Sequence, residues 1–368
     1  MTRMTCSILG TMGVPGVYGG FETLAENLVR YHDRNKPNVE LSVYCSRKLS
    51  EKVQAGTFLS AKLRYIPLRA NGPWSIFYDS LSLFDAAWRR SDVIILLGVS
   101  GAFALPVIRA ISSSRIITNI DGIEWQRDKW GWFARLILKW SERAAVRWSH
   151  NVIADNTAIA SHVRDAYASD CEVIPYGGDH ALVAAPESDS ALGLPSNYVL
   201  ALCRIEPENN VAMILDSFAQ LSDRNLVFVG NWDNSVFGRD LRAKYSECPN
   251  LYLVDPIYEP SRLRWIRGGA QAYVHGHSAG GTNPSLVEMM HFGTLVVAFG
   301  CSFNRYTTEN KAIYFNTGEE LMHIFLGHKI DCADEVGACM KEIALRRYSW
   351  DKVAGAYFDL CEAETGSH

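Results

Sequence analysis

The sequence predicts an α/β protein of two Rossmann-like, doubly wound domains, and three observations support this prediction. Short apolar runs alternate along the chain with longer segments of helical periodicity, a pattern typical of buried strands in parallel sheets. The 368 residues correspond to about two domains of ordinary size. A polar segment between Pro186 and Pro195 separates two series of such strands. We therefore assign residues 1–185 to a first domain, 186–345 to a second and 346–368 to a C-terminal helix.

The composition is that of a globular protein with a substantial core, since 48% of the residues are hydrophobic and 21% are charged. Nine cysteines occur without a CxxC pair or the Cys/His spacing of zinc sites, which indicates free thiols in a reducing cytoplasm. The first residues lead directly into a predicted strand without a signal peptide, and no run reaches the roughly 18 apolar residues of a membrane span. We therefore expect a cytoplasmic protein.

Charge is distributed unevenly along the chain. The first 182 residues contain 21 Lys and Arg against 17 Asp and Glu, a net charge of +4, whereas the remainder contains 15 against 23, a net charge of −8. The first domain is therefore the one that we expect to meet an anionic partner.

The first domain is predicted to contain a parallel sheet. Its strands are the apolar runs at residues 5–10, 40–45, 63–67, 93–98, 115–119 and 151–154. The glycine-rich loop after the first strand leads into a helix from Phe21 to about Tyr31, but it lacks the G-x-G-x-x-G spacing. The second strand ends in Ser46-Arg47, without an acidic residue for a ribose. Both facts argue against a nicotinamide-binding domain.

A helix rich in tryptophan and basic residues is predicted between Trp125 and Trp148. Its basic residues recur every four positions and form one stripe, Arg135, Lys139, Arg143 and Arg147. An adjacent stripe is apolar and consists of Trp132, Leu136, Trp140, Ala144 and Trp148. Basic and aromatic side chains together suit an anionic membrane surface or a lipid diphosphate. The alternative is an ordinary helix that packs its apolar stripe on the sheet and exposes its basic stripe to solvent.

The second domain is predicted to contain a second parallel sheet. Its strands are the apolar runs at residues 198–203, 226–230, 251–254, 272–275 and 295–299. Before the last of them, a glycine loop leads into a helix that Thr282 or Asn283 can cap, with Pro284 at its first position and Gly293 after its end. The N–H groups of such a loop converge where the helix dipole favours negative charge, so we expect a phosphate there.

Glu288 lies about one turn inside this helix. A carboxylate at that place can accept hydrogen bonds from two sugar hydroxyls, and a diphosphate attached to a ribose would satisfy both the loop and the glutamate. The alternative is an ordinary strand–loop–helix connection with a solvated glutamate.

The order of these elements resembles the donor-binding motif of the retaining glycosyltransferases of family 4. The string Gly-Gly-Thr-Asn-Pro-Ser-Leu at residues 280–286 is similar to the bacterial rhamnosyltransferase branch of that family. The resemblance covers nearly the whole chain and implies the GT-B fold, two domains facing across a cleft, with the last helix crossing back to the first domain. The family carries two glutamates separated by seven residues. Glu288 matches the second, which implies a ribose contact, whereas the first falls on Gly280.

For the first domain, the resemblance implies residues near the transferred sugar. Gly19 and Gly20 match a glycine pair beside that sugar, and Glu22 follows closely. Asp121 occupies the position of a histidine that lies against the sugar in many members. The resemblance therefore implies that Glu22 and Asp121 act in catalysis. The alternatives are a helix-start glutamate that complements the dipole and a simple turn at Asp121-Gly122.

For the second domain, the resemblance implies contacts to a nucleoside diphosphate. Arg204 matches the arginine of a diphosphate clamp and is implied in catalysis, whereas Asn209 stands where members have a lysine. The missing charge gives more weight to the glycine loop, that is Gly280, Gly281, Thr282 and Asn283. Two further loops hold the base in the family and carry here Trp232, Ile257 and Tyr258. The alternative for Arg204 is an ordinary surface arginine in a salt bridge.

The resemblance implies a retaining transfer of a hexose, in the first place L-rhamnose from dTDP-rhamnose, onto a lipid-diphosphate-linked sugar in cell-surface polysaccharide synthesis. Such an acceptor would bring the protein to the inner face of the cell membrane as a peripheral protein, through the basic stripe Arg135–Arg147. No Asp-x-Asp pair occurs, so we expect neither a metal nor another cofactor, and we expect no nucleic-acid partner. The alternatives are a UDP- or GDP-sugar donor, a nucleotide-sugar epimerase of GT-B fold and a non-catalytic nucleotide-sugar-binding protein.

Overall fold

The computed structural model describes residues 3–16, 19–36, 38–46, 55–70, 72–120, 122, 125, 131–327 and 332–363. The chain divides into two compact units, Met1–Pro175 with Trp350–His368, and Tyr176–Ser349. The change of unit thus comes before the proline-bounded segment and not at residue 185. Its physical reason is that the segment after Pro175 is tied to the second unit, where the Gly178 N–H donates to the Tyr348 carbonyl at 2.7 Å.

The first unit is built on a sheet of eight described strands. They are β1 (Met4–Leu9), β2 (Val39–Ser46), β3 (Thr57–Phe58), β4 (Ala61–Ile66), β5 (Val93–Leu97), β6 (Arg115–Asn119), β7 (Asn151–Ala154) and β8 (Glu172–Val173). Their order in the sheet is β3-β4-β2-β1-β5-β6-β7-β8. Among these strands only the β3–β4 pair is antiparallel. The chain therefore reverses its direction of winding between β1 and β5.

Six described helices accompany this sheet. They are α1 (Gly20–Asn35), α2 (Ser75–Trp88), α3 (Leu105–Ile111), α4 (Trp132–Trp148), α5 (Thr157–Tyr167) and α13 (Trp350–Glu362). The last helix of the chain packs on the first, because Tyr31 stacks on Phe358 with ring centroids 5.8 Å apart. At the far end of α1, Lys36 pairs with Glu362 at 2.8 Å.

Helix α4 does not bury the apolar stripe that one of its two interpretations places on the sheet. Its buried side chains are Leu138, Ser141, Glu142, Ala145 and Val146. Its aromatic stripe is exposed, with Trp132 79% and Trp140 69% accessible. The alternative in which this stripe packs on the sheet is therefore wrong, because the side chains that α4 buries lie on a different face, which contains Ser141 and Glu142.

The second unit is built on a sheet of six described strands, all parallel. They are β9 (Val199–Leu202), β10 (Leu226–Val229), β11 (Leu251–Val254), β12 (Ala272–His275), β13 (Leu295–Phe299) and β14 (Ile313–Phe315). Their order is β11-β10-β9-β12-β13-β14. The direction of winding reverses here between β9 and β12.

The helices described in this unit are α6 (Val211–Ala219), α7 (Val236–Tyr245), α8 (Pro260–Gly269), α9 (Pro284–Met290), α10 (Ser302–Thr307), α11 (Gly318–Leu326) and α12 (Ala333–Arg347). None of the nine cysteines, each within the described part of the chain, forms a disulfide. No described helix is long and apolar enough to cross a membrane.

In open parallel sheets, ligands bind outside the carboxyl ends of the strands where the winding reverses. The fold therefore directs attention to the loops after β1 and β5 in the first unit and to the loops after β9 and β12 in the second.

Candidate functional site

The loops after β9 and β12 are joined to each other by hydrogen bonds. The Asn210 amide donates to the Gly276 carbonyl at 2.8 Å. The Ser278 N–H donates to the Glu208 carbonyl at 3.1 Å. These bonds make the two loops one continuous rim at the carboxyl edge of the second sheet.

Arg204 lies on this rim directly after β9. Its side chain is 44% exposed and its guanidinium lies 3.7 Å from the Glu206 carboxylate. Asn209 is buried, and its amide donates to the carbonyl of Arg204 at 2.7 Å. Asn209 therefore supports the backbone that carries Arg204, and its side chain is occupied inside the loop. The replacement of a cation by asparagine leaves Arg204 as the basic side chain of this loop.

Helix α9 begins with the capping residue and the proline that the sequence predicts. Asn283 is the N-cap, since its side-chain oxygen accepts from the Ser285 N–H at 3.1 Å and from the Ser285 hydroxyl at 2.8 Å. Pro284 follows at the first helical position. Gly280 has a φ of +121°, in the region that favours glycine, and a Cβ at this position would meet no atom within 4 Å. The loop thus bends at Gly280 beside open space.

Glu288 is buried one turn into α9 and is held on both sides. One carboxylate oxygen accepts from the guanidinium of Arg267, and the other lies 3.2 Å from the imidazole Nε2 of His180. Arg267 belongs to α8, and His180 belongs to a short 3-10 turn, Asp179–Leu182. Burial raises the pKa of Glu288, but Arg267 and His180 outweigh burial and hold the pKa below its ordinary value. The carboxylate is therefore fixed in position and ionised at neutral pH.

The predicted site includes neither Arg267 nor His180. Arg267 lies 21 residues before Glu288, in a helix whose sequence resembles an ordinary surface helix. His180 directly follows Asp179 at the start of the 3-10 turn, where no pattern in the sequence marks it. A buried carboxylate requires a counter-charge, so knowing that Glu288 is buried would have predicted basic partners. The sequence alone does not show that Glu288 is buried.

His275 ends β12, and His277 follows it in the loop that leads to α9. The rings of His275 and His277 stack with their centroids 4.4 Å apart. The Tyr273 hydroxyl donates to the Ser285 hydroxyl at 2.9 Å and lies 3.2 Å from Nδ1 of His275. Burial lowers the pKa of His275 to about 3. A neutral imidazole therefore supports the start of α9.

The two loops predicted to hold a base differ in what they expose. Trp232 is fully buried, and its indole N–H donates to the Val254 carbonyl at 3.0 Å. Its side chain is part of the core, so of this residue only the loop backbone can face a ligand, and we correct its predicted role accordingly. Ile257 is buried as well, whereas Tyr258 is exposed.

In the first unit, Glu22 connects the glycine loop after β1 to the start of α1. Its carboxylate accepts from the Met12 N–H at 2.9 Å and from the Thr11 hydroxyl at 3.3 Å. Gly19 has a φ of +120°, in the region that favours glycine, and a Cβ there would lie 2.0 Å from the other carboxylate oxygen. Gly20 is the first residue of α1. Burial raises the pKa of Glu22. Glu22 is therefore bound into the loop that it shapes.

Asp79 is a buried carboxyl that the predicted site does not include. It lies in α2 against the loop after β5, where a Cβ at Gly101 would be 2.5 Å from the Cβ of Asp79. Burial raises the pKa of Asp79 to about 8. The neighbouring Tyr78 hydroxyl donates to the Thr11 carbonyl at 2.9 Å. The sequence does offer one signal for Asp79, because an acidic residue within an otherwise apolar helix is unusual. The other predicted acid of this unit, Asp121, lies outside the described residues.

Solved structures match the chain over its whole length. A sucrose-phosphate synthase from Thermosynechococcus elongatus has a TM-score of 0.79 at 15% identity over 98% of both chains. HepE of Anabaena in complex with UDP has a TM-score of 0.71 at 14% identity over 98% of this chain and 99% of that one. A glycosyltransferase from Rickettsia africae has a TM-score of 0.69 at 12% identity over 98% of both chains. The fold is GT-B.

The predicted GT-B fold class is thereby confirmed. In sequence, residues 3–179 match a family described as "Domain of unknown function (DUF1972)", and no curated protein matches the chain. Each predicted site residue that the structure describes lies in a loop after a strand, or in the helix that this loop begins. The GT-B fold thus brings the predicted residues of each unit to the carboxyl edge of its sheet.

Proposed function

We propose that this chain is a glycosyltransferase that takes its sugar from a nucleotide donor bound to the second unit. The observation that carries the proposal is the buried, ionised Glu288, which Arg267 and His180 hold beside the glycine loop. A carboxylate kept charged in this way can accept hydrogen bonds from the two hydroxyls of a ribose. The whole-chain similarity to glycosyltransferase structures, one of them with bound UDP, supports the same proposal.

The diphosphate of the donor would lie between Arg204 and the backbone N–H groups of Gly281 to Asn283. Retaining chemistry then requires no covalent intermediate on the protein. The bond between the anomeric carbon and the diphosphate oxygen breaks, and the acceptor hydroxyl bonds to that carbon on the same face. Its proton passes to the departing diphosphate oxygen, whose charge Arg204 stabilises. We propose that this step needs no metal and that Glu22 and Asp121 act on the sugar side.

The identity of the sugar rests on the family resemblance. We propose L-rhamnose from dTDP-rhamnose as the donor, because the string at residues 280–286 is similar to the rhamnosyltransferase branch. The open space beside Gly280 leaves the sugar side of the loop unobstructed. A UDP-sugar is the second candidate, since HepE has been solved with UDP and with UDP and glucose.

The acceptor is proposed to be a sugar on a lipid diphosphate in cell-surface polysaccharide synthesis. The basic stripe of α4, Arg135 to Arg147, would then attach the protein to the inner face of the cell membrane. The net charge of +4 in the first 182 residues supports this assignment.

The test is incubation of the full chain with dTDP-rhamnose, UDP-sugars and GDP-sugars, each with and without a lipid-linked sugar acceptor. We expect nucleoside diphosphate release that depends on the acceptor and is greatest with dTDP-rhamnose. Conversion of the donor sugar without an acceptor would identify an epimerase. Donor binding without any turnover would identify a binding protein, and the absence of both would refute the proposal.

A further inference from the structure

The outward face of α2 and of the turn before it is apolar over its whole length. Its exposed side chains recur at intervals of three and four residues and are 40–88% accessible in the full chain: Trp74, Phe77, Leu81, Phe84 and Trp88. The opposite face is buried and includes Tyr78, Leu83 and Ala86. A surface helix normally turns a polar face to solvent, so α2 departs from the usual pattern.

The two helices that follow continue this apolar face. The segment leading through α3 exposes Phe103, Val107 and Ile111, and α4 exposes Trp132, Leu136 and Trp140. Helix α3 contacts both α2 and α4, so the three outward faces are neighbours. We name these eleven side chains the three-helix surface. Monomeric soluble proteins rarely expose apolar patches of this extent, and such patches mark interaction sites.

The charged side chains that α2, α3, α4 and their ends expose are almost all basic. The exposed or partly exposed basic side chains on these helices and their ends are Arg89, Arg90, Arg109, Arg135, Lys139, Arg143 and Arg147. Of the three acids in the helices, Asp79 and Glu142 are buried. The third, Asp85, pairs with Arg89 at 2.6 Å. The surface is thus complementary to an anionic layer, and a second copy of the chain would bring like charges together.

Beside the surface lies an open depression of about 590 Å³. It is lined by Trp125, Trp132, Arg135, Leu136 and Lys139. The ammonium of Lys139 lies 5.0 Å from the centroid of the Trp125 ring. The two cations, Arg135 and Lys139, can pair with the phosphate of a lipid headgroup. The indole rings beside them favour the boundary between the apolar and polar layers of a membrane.

We propose that the three-helix surface docks the protein on an anionic bilayer by inserting its aromatic and aliphatic side chains below the headgroups. Helix α2 then contributes as much as α4, and the basic residues act at the rim of an apolar contact. This proposal rests on the proposed function, because a lipid-linked acceptor is the reason for the protein to bind a membrane. Attachment by charge alone would release at high salt, whereas an inserted apolar surface remains bound.

The experiment is co-sedimentation of the full chain with phosphatidylglycerol–phosphatidylcholine vesicles at low and high salt. The test variant carries Phe77→Ser, Leu81→Ser and Trp88→Ser. The control carries Val236→Ser, Leu326→Ser and Leu345→Ser, three comparably exposed apolar residues of the second unit. We expect the wild type and the control to keep part of their binding at high salt. The test variant should lose at least about tenfold in binding at low salt and all of it at high salt.

Three results would overturn the inference. The test variant could bind as the wild type does, or the wild type could release completely at high salt. Alternatively, sedimentation could show a wild-type dimer that the test variant abolishes while its vesicle binding is unchanged, which would assign the surface to a second copy. Turnover of a nucleotide sugar onto a water-soluble acceptor, which needs no bilayer, tests the proposed function separately and should be the same in all three proteins.

Discussion

At the scale of single residues, Glu288 combines a structural and a functional role. Glu288→Ala would leave Arg267 buried without its counter-charge, and we expect it to lose about 3–5 kcal/mol of stability.

Glu288→Gln keeps the shape and removes the charge. We expect it to bind donor and free nucleoside diphosphate roughly 10–100-fold more weakly, since a charge-assisted hydrogen bond contributes about 1.5–3 kcal/mol. Calorimetry with dTDP and UDP measures this, with Glu319→Gln on the surface as control. Equal binding by Glu288→Gln and wild type would remove the ribose contact.

Arg204 is the basic side chain of the loop after β9. Arg204→Ala should reduce kcat/KM by roughly 10–100-fold, because it removes about 1.5–3 kcal/mol of stabilisation from the departing diphosphate. Arg239→Ala, an exposed arginine of the same unit, is the matched control and should leave kcat/KM unchanged. Unaltered donor affinity and rate in Arg204→Ala would support the interpretation of this residue as an ordinary surface arginine.

His275 predicts a pH dependence of stability. Its pKa is about 3 in the folded chain and about 6.5 in an unfolded one. Between these values the unfolded state binds the extra proton, so this histidine costs stability as the pH falls below about 6.5, by up to about 1.4 kcal/mol per pH unit. His275→Asn should show a free energy of unfolding that falls less steeply between about pH 6 and pH 4, by one proton. His323→Asn, at an exposed site, should keep the wild-type slope, and equal slopes in all three would contradict the assignment.

At the scale of elements, most of the basic side chains of α4 are not part of its buried face. In its basic stripe Lys139, Arg143 and Arg147 are exposed and Arg135 is partly exposed, whereas Leu138, Ala145 and Val146 are buried. Replacing Arg135, Lys139, Arg143 and Arg147 by Gln should therefore preserve folding and weaken binding to anionic vesicles at low salt. Each such residue contributes about 1 kcal/mol near an anionic leaflet. The same change at four basic residues of the second unit, Arg224, Arg239, Lys311 and Lys341, is the control. If the α4 variant sediments as well as the wild type, the stripe is only a solvated face.

The elements differ in how far the sequence predicts them. Strands β7, β11, β12 and β13 begin and end where their apolar runs do, because a strand buried on both faces carries its signal in every residue. Asn283 caps α9, as predicted, and Asn156 caps α5 in the same way, because its side chain accepts from the Ala158 N–H. The short strands β3, β8 and β14 were not predicted, since two or three residues carry no periodicity.

The site was predictable only where function depends on local sequence. The glycine loop and Glu288 are recognisable because they follow one another along the chain. The contacts of Glu288 with Arg267 and His180 join three separate elements, and no local pattern encodes them. The burial of Trp232 and the exposure of Trp132 could not be foreseen for the same reason, since periodicity shows that a helix or loop has an apolar side without showing what covers it.

At the scale of the whole molecule, the two units should respond separately to mutations in their cores. Phe358 of α13 and Phe315 of β14 are both fully buried, the first in the first unit and the second in the other. Each Phe→Ala change should cost about 3–5 kcal/mol of local stability. Hydrogen exchange should then show faster opening of the β1–β8 sheet in Phe358→Ala and of the β9–β14 sheet in Phe315→Ala. Faster exchange of both sheets in either variant would show that the units unfold together.

The first unit is assembled from two stretches that are far apart in the sequence, because α13 packs on α1. A ribosome makes the chain from the N-terminus, so residues 1–175 emerge long before Trp350. The side of α1 that Phe358 covers must stay uncovered until α13 has been made, whereas residues 176–349 are all present by then. The second unit can therefore complete its core before the first unit does, although most of the first unit is made earlier.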